Sequence, residues 1–337
     1  MKKNNIKKAT IIAEIGVNHN GSLAKAFELI KKAKLAGADY VKFQSYDTDS
    51  LCLKNSFKAN YQKKIKKNKT QYQMLKELEL SENSLKKIVD FCKNLKMKVF
   101  FSVFDLKSLK KIKKLNLDFI KLPSGEINNF EIISNLISIK SKIIISSGLS
   151  NFKEVMNCYK FLLRKKKYQD IIIMHCNTEY PTPVTDLNLN VIKNFKKKFK
   201  SDIGFSDHSV SVVAPSLAYA LGANYIEKHF TLSKNDEGPD HRSSLNFIEL
   251  KRMVANIRYT ELALGETKKK VTNSEKKNLR PVRKSIVASK SIKKGETYTI
   301  KNITTKRPHL GISASEYLKI LGIKAKRNYK KNEYLTK

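Results

Sequence analysis

Short, β-rich apolar runs alternate with longer amphipathic stretches through the first 265 residues of this 337-residue chain, and nothing else in the sequence restricts its fold so tightly. The runs are Thr10 to Ile15, Tyr40 to Ser45, Lys98 to Ser102, Asp118 to Leu122, Lys142 to Ser147, Ile171 to His175, Ile203 to Ser206 and Asn224 to Phe230. Helical patterns fall between and after them, as at Leu23 to Ala36, Ser84 to Leu95, Phe130 to Ile139, Val212 to Leu221 and Ile248 to Leu264. Eight such βα units over roughly 250 residues predict an α/β protein built on a closed TIM (β/α)8 barrel. An open doubly wound sheet would place a Gly-rich dinucleotide turn after the first strand, and EIGVNHNG is not one.

Beyond residue 265 the pattern breaks. The stretch GETKKKVTNSEKKNLR has no apolar period and reads as a linker, which divides the chain into a barrel over 1–265, a linker over 266–280 and a small domain over 281–337. The last part carries β-like pieces at Ser285 to Ala288 and Tyr298 to Ile300, and its size predicts packing against the barrel or a second subunit.

The net charge of +38 would ordinarily suggest nucleic acid. The excess is nearly all lysine and spread along the chain. The dense runs Lys63 to Lys69, Arg164 to Lys167 and Lys196 to Lys200 hold a single aromatic, Phe199, too few for base stacking, so they read as solvated helix faces. No nucleic-acid partner is expected. No run of about 18 apolar residues occurs, so no membrane span is expected. Cys52, Cys92, Cys158 and Cys176 have no disulfide or zinc spacing, and the basic MKKNNIKKAT start lacks an export signal; together these predict a cytoplasmic protein.

In a barrel of this type chemistry sits at the C-terminal ends of the strands. The first run ends in Glu14; the second carries Lys42 and Gln44; the third ends at Ser102; the fourth gives Lys121 and Ser124. The fifth ends in Ser146-Ser147-Gly148, the sixth gives His175, Asn177 and Tyr180, the seventh ends in Ser206-Asp207-His208 and the eighth in Glu227-Lys228-His229. A lone Ser there is usually a turn residue or cap, and a lone His a hydrogen-bonded core residue. The set as a whole points elsewhere. A lysine within a parallel strand must face a polar mouth or a carboxylate, and two of them beside Ser and Gly turns suggest a bound anion such as a phosphate. His208 and His229 end adjacent strands and could share a divalent transition metal; the competing reading pairs them with Asp207, Glu227 or Asp240.

The segments AEIGVNHNGSLAKA, GADYVKFQSY, IKLPSGEINN, MHCNTEYPTP, GFSDHSV, EKHFTL and GPDHRSSL, in this order, closely resemble the sialic acid synthase family, comprising N-acetylneuraminate synthases and their legionaminic and pseudaminic acid relatives. The tail RKSIVASKSIKKGETYTIKNITTKRPHLGIS resembles the small antifreeze-like SAF domain that follows the barrel in those enzymes. The resemblance implies condensation of phosphoenolpyruvate with an N-acylated mannose-type sugar, with release of phosphate. It implies that Glu14 is the essential carboxylate and that His208 and His229 hold a divalent metal, Mn²⁺ before Mg²⁺ or Co²⁺. Lys42, Ser102, Lys121, Ser124, Ser147, Thr178 and Ser206 would contact phosphoenolpyruvate, and Gln44, Tyr180 and Asp240 the sugar. Arg307 would reach the sugar's acyl group in a domain-swapped homodimer.

The family commonly has Thr at Ser147 and Asn at Thr178, and His309 replaces a small residue after the Arg-Pro pair. The GPDHRSSL loop is unlike that of pseudaminic acid synthases. N-acetylmannosamine, giving N-acetylneuraminate, is the expected acceptor; 2,4-diacetamido-2,4,6-trideoxymannose, giving N,N'-diacetyllegionaminate, is the alternative. A basic nucleic-acid-binding protein, or a barrel reduced to sugar binding, would leave Glu14 and the paired histidines without a role.

Overall fold

The computed structural model describes residues 7–62 and 68–336; most of the run from Lys63 and the first six residues of the basic start lie outside them. Eight parallel strands close into one barrel: β1 (Thr10–Gly16), β2 (Tyr40–Ser45), β3 (Lys98–Val103), β4 (Phe119–Leu122), β5 (Lys142–Ser146), β6 (Ile171–Cys176), β7 (Asp202–Asp207) and β8 (Tyr225–His229). Closure comes from β8 pairing with β1, which sets Glu14 beside His229. The fold class expected from the alternation is therefore the one observed.

Strand period two sorts the side chains. Ile12, Phe100, Ile144, Ile172 and Met174 point into the barrel with Tyr40, Phe119 and Tyr225 and fill its lower part. Ile11, Ala13, Val41, Phe43, Ile143 and Ile145 point outward into the larger core beneath the helices. Each fully buried Ile or Phe contributes about 1.5 to 3 kcal/mol relative to exposure. Gly204 has a packing reason: a Cβ there would stand 2.8 Å from Met174 Cγ and 2.9 Å from the Tyr225 carbonyl.

Helices return each strand to the bottom of the barrel, and their starts carry local signals. Asn151 and Glu154 cap the helix Phe152–Leu162 reciprocally, as Asn246 and Glu249 cap Phe247–Leu264. Lys196 to Lys198 form the last turn of the helix Asn190–Lys198, where cations favour the dipole. One connection is unusual. Between β2 and β3 the chain makes the short helices Thr48–Leu51 and Gln71–Leu78 before the standard helix Glu82–Asn94. Among the described residues no helix is long and apolar enough to cross a membrane, and the four cysteines are free.

Residues 266–337 form a second compact unit. The stretch read as a linker holds the single-turn helix Asn273–Lys276, closed by a Thr272–Glu275 capping box, and the start of a second, Leu279–Val282, which runs past residue 280. β9 (Ser285–Ala288) pairs antiparallel with β10 (Ile303–Lys306) over a core that includes Ile286, Tyr298, Ile303, Tyr329 and Leu335. The expected strand at Tyr298 to Ile300 is absent. The Asn302 side chain takes the Thr299 N–H at 2.7 Å and folds this piece into a turn, so the strand begins only at Ile303.

Candidate active site

The inward positions change character at the C-terminal ends of the strands, where a cavity of about 560 Å³ opens. Its floor is ionic. The Lys42 ammonium lies 2.8 Å from Glu14 Oε1 and 3.6 Å from Glu227 Oε1, and donates to Ser102 Oγ at 2.8 Å. Lys121 pairs with the same Glu227 oxygen at 2.7 Å, and Ser206 donates to it at 3.0 Å. All of these groups are buried. Burial acts to raise the Glu227 carboxyl, but Lys121 and Lys42 outweigh it and hold the group down at about 2. For Glu14 burial prevails over Lys42, so its carboxyl is raised above the usual range. Burial lowers Lys121, with Glu227 opposing, whereas the flanking carboxylates overcome burial at Lys42 and raise it.

The floor has open valences. Glu14 Oε2, Glu227 Oε2, Ser146 Oγ and His229 Nδ1 are buried without a hydrogen-bond partner. Buried polar groups are ordinarily satisfied, so four at one spot mark a place for a polar ligand. Ser124 lies above the floor, its Oγ 3.1 Å from Cys176 Sγ and accepting from the Gly148 N–H at 3.1 Å. A Cβ at Gly148 would come within 2.7 Å of Ser124 Oγ and 2.6 Å of Thr178 Cγ2, which explains the glycine.

A bulge in β1 turns Gly16 to φ +55° beside the site. The position where its Cβ would fall is 3.2 Å from Glu14 Oε1, 3.3 Å from Gln44 Nε2 and 3.5 Å from Asp240 Oδ2, so these three polar groups converge there. Burial, then the charge of Glu14, pushes the Asp240 carboxyl up to about 7.

The two histidines form the adjoining wall, ring centroids 5.3 Å apart, with Tyr180 stacked on His208 at 4.1 Å. The His208 Nδ1 faces the Asn177 carbonyl, which can only accept, so Nδ1 carries the proton and the Nε2 lone pair faces Tyr180 OH at 3.2 Å and Ser206 Oγ at 3.3 Å. His229 Nδ1 stands 3.7 Å from Asp240 Oδ2. Burial lowers His208 to about 3 and His229 well below its ordinary value. Both imidazoles are thus in the neutral, ligating form. No group of three or more His, Cys, Asp and Glu donors converges among the described residues, so a cation on this pair would keep most of its positions for water or substrate.

Of the residues expected at the site, Glu14, Lys42, Gln44, Ser102, Lys121, Ser124, Thr178, Tyr180, Ser206, His208, His229 and Asp240 all line this cavity. Ser147 does not. It lies past the end of β5, and its neighbour Ser146, two positions on from the inward Ile144, takes the place in the wall. Arg307 is exposed in the second unit, after β10. Two features are additional. Glu227 is the hub of the floor, and the β2–β3 connection supplies a wall that includes Tyr46, Leu51, Cys52, Tyr61, Gln62 and Leu75, with Tyr61 4.8 Å from Tyr180.

Fold and mouth together define a (β/α)8-barrel enzyme followed by a small C-terminal domain. The NeuB family model matches residues 29–269 and the SAF domain model residues 283–337, and the chain belongs to the NeuB family. It is 43% identical to the N,N'-diacetyllegionaminic acid synthase of Campylobacter jejuni subsp. jejuni serotype O:2, over 98% of this chain and 99% of that one. A Legionella pneumophila protein of the same name is 37% identical over 94% and 90%. Among solved structures, the N-acetylneuraminic acid synthetase of Leptospira borgpetersenii superposes with a TM-score of 0.71 at 28% identity, covering 81% of this chain and 90% of that one.

Proposed function

We propose that this enzyme condenses phosphoenolpyruvate with 2,4-diacetamido-2,4,6-trideoxymannose to give N,N'-diacetyllegionaminate and phosphate. The observation that carries the reaction is the floor itself: Lys42 and Lys121, both buried, beside polar atoms that lack partners. The two ammonium groups and the hydroxyls of Ser102, Ser124, Thr178 and Ser206 would supply donors to a multiply charged anion, while the open acceptor Glu227 Oε2 would be met by a donor such as water or a sugar hydroxyl. The choice of sugar departs from the N-acetylmannosamine expected from the sequence. It rests on the relatives at 43% and 37% identity, both named for legionaminate.

In the proposed reaction C3 of phosphoenolpyruvate forms the new carbon–carbon bond to the sugar aldehyde carbon. Water adds at C2, and the bond from C2 to the phosphate oxygen breaks, leaving the 2-keto acid and inorganic phosphate. Glu14 sits where Gln44 and Asp240 would hold the aldehyde end, and its raised carboxyl suits it to give a proton to the aldehyde oxygen and take one from the attacking water. His208 and His229 would hold a divalent cation, Mn²⁺ first, whose contribution is Lewis-acid polarisation of that aldehyde. A homodimer in which Arg307 of a second copy completes the sugar pocket belongs to the same proposal.

The test is phosphate release from phosphoenolpyruvate with Mn²⁺, offering the diacetamido sugar and N-acetylmannosamine in parallel, with chelator as control. Release dependent on the diacetamido sugar is expected. Preference for N-acetylmannosamine moves the product to N-acetylneuraminate, and release with neither by folded, metal-loaded protein overturns the reading.

A further inference from the structure

We infer that Lys228 and Asp207 are positioning residues, an ion pair closed off behind the barrel wall that sets the separation and aim of His208 and His229. The inference rests on the two-histidine reading of the site. Asp207 is the last residue of β7, between Ser206 and His208, Lys228 lies between Glu227 and His229 on β8, and the two are direct cross-strand neighbours. Strand alternation sends Ser206, His208, Glu227 and His229 into the cavity, and Asp207 and Lys228 out beneath the helices.

There both charged side chains are wholly buried, 2.7 Å apart. The Lys228 ammonium also reaches the Ser209 carbonyl at 2.5 Å and Ser209 Oγ at 3.4 Å, while Asp207 Oδ1 accepts the Ser209 N–H at 2.8 Å. One lysine from β8 therefore grips the chain on both sides of His208. The backbone of that histidine is tied once more, its carbonyl accepting from the Thr182 N–H at 3.1 Å.

Stability does not account for a salt bridge at this place. Most outward positions on the other strands are apolar and buried, as Ile15, Phe43, Phe101, Leu122 and Ile145 show, and the polar His175 at the outward end of β6 bonds a backbone carbonyl, that of Leu187, rather than a second charge. Replacing a buried ion pair with well-packed apolar residues is often neutral or stabilising. What the ion pair adds is register: its length is fixed by charge and hydrogen bonds, and any slip between β7 and β8 would displace one imidazole relative to the other by the same amount. Groups hydrogen-bonded directly to metal ligands typically change metal affinity 10- to 100-fold when removed; Asp207 and Lys228 act one step further back, through the backbone on either side of His208, so the lower end of that range is expected.

The test uses the full chain carrying Asp207→Leu with Lys228→Met, and separately Asp207→Asn, which keeps the shape of the side chain. Mn²⁺ affinity is read from the electron paramagnetic resonance of free Mn²⁺, and ring positions from histidine ¹H–¹³C spectra without metal. We expect the double variant to fold with little change in Tm, to bind Mn²⁺ at least 10-fold more weakly, and to shift the His208 and His229 ring signals while His309 in the second unit stays put. Mn²⁺ affinity within twofold of wild type together with unmoved ring signals, in either folded variant, overturns the inference. If the double variant does not fold, Asp207→Asn decides by the same two readings. A wild type that binds no Mn²⁺ removes the two-histidine metal reading, and the ring signals then decide the positioning alone.

Discussion

The two faces of the strand ends are built from the same residue types to opposite purposes. On the cavity face Glu14, Lys42, Lys121 and Glu227 are buried within a few ångströms of one another, yet Glu14 Oε2 and Glu227 Oε2 have no partner. On the helix face Asp207 and Lys228 are buried as deeply, with the lysine bonded to Asp207 and to Ser209. The difference teaches how to tell a site from a strut. Both are buried charge, but the strut is closed by its own partners, whereas the site keeps capacity in reserve and places two ammonium groups where each opposes the other's charge.

The largest effect should come from the cavity face. In the proposed reaction Glu14 transfers the proton, and Glu14→Gln removes that capacity while keeping the side chain's shape, so turnover should fall by about 10² to 10⁴ with folding unchanged. Steady-state phosphate release beside a thermal melt measures both, and turnover near wild type would remove Glu14 from the chemistry. Next comes a direct contrast of two buried lysines. Lys228→Met strands Asp207 as an uncompensated buried charge and should cost about 3 to 5 kcal/mol of stability. Lys121→Met leaves Glu227 with Lys42 at 3.6 Å and Ser206 at 3.0 Å and relieves the repulsion between the ammonium groups, so it should cost less than half as much while weakening phosphoenolpyruvate binding at least tenfold. Denaturant unfolding and ligand titration of both variants settle the contrast, and equal stability losses would erase the distinction between strut and site.

How much of this was legible in the sequence follows from period two. Where a strand mixes polar and apolar residues its phase can be read: SDHS and IEKH place Ser206 with His208 and Glu227 with His229. Alternation alone would have put Glu227 in the site beside its expected neighbour. The run KIIIS gives no such contrast, since Ile143, Ile144 and Ile145 are apolar on both faces, so Ser146 and Ser147 look alike in the sequence and only the backbone turns Ser146 inward. The wall from Leu51, Cys52, Tyr61 and Leu75 had no local signal, because only the closure of the barrel brings that connection over its mouth. In the second unit the β propensity of Tyr298 to Ile300 lost to an Asn side chain that bonds the backbone.

The smallest effect concerns a histidine on the closed face. His19 follows β1, packs beside Phe43 and accepts the Gly21 N–H on Nδ1 at 3.0 Å. Burial lowers it to about 4, and a proton on Nδ1 would also break that hydrogen bond. Between pH 6.5 and about 4 the unfolded chain therefore holds a proton at this residue that the folded chain does not. Its contribution is fully present above 6.5 and is lost as pH falls toward 4, by at most about 3 kcal/mol. His19→Asn, which keeps an acceptor for the Gly21 N–H, should lower stability slightly at pH 7 and reduce the slope of stability against pH through this window. Urea midpoints taken from pH 7.5 to 4.5 measure that slope. An unchanged slope would mean that His19 takes up its proton while folded, and that the face behind the barrel wall is less closed than its hydrogen bonds indicate.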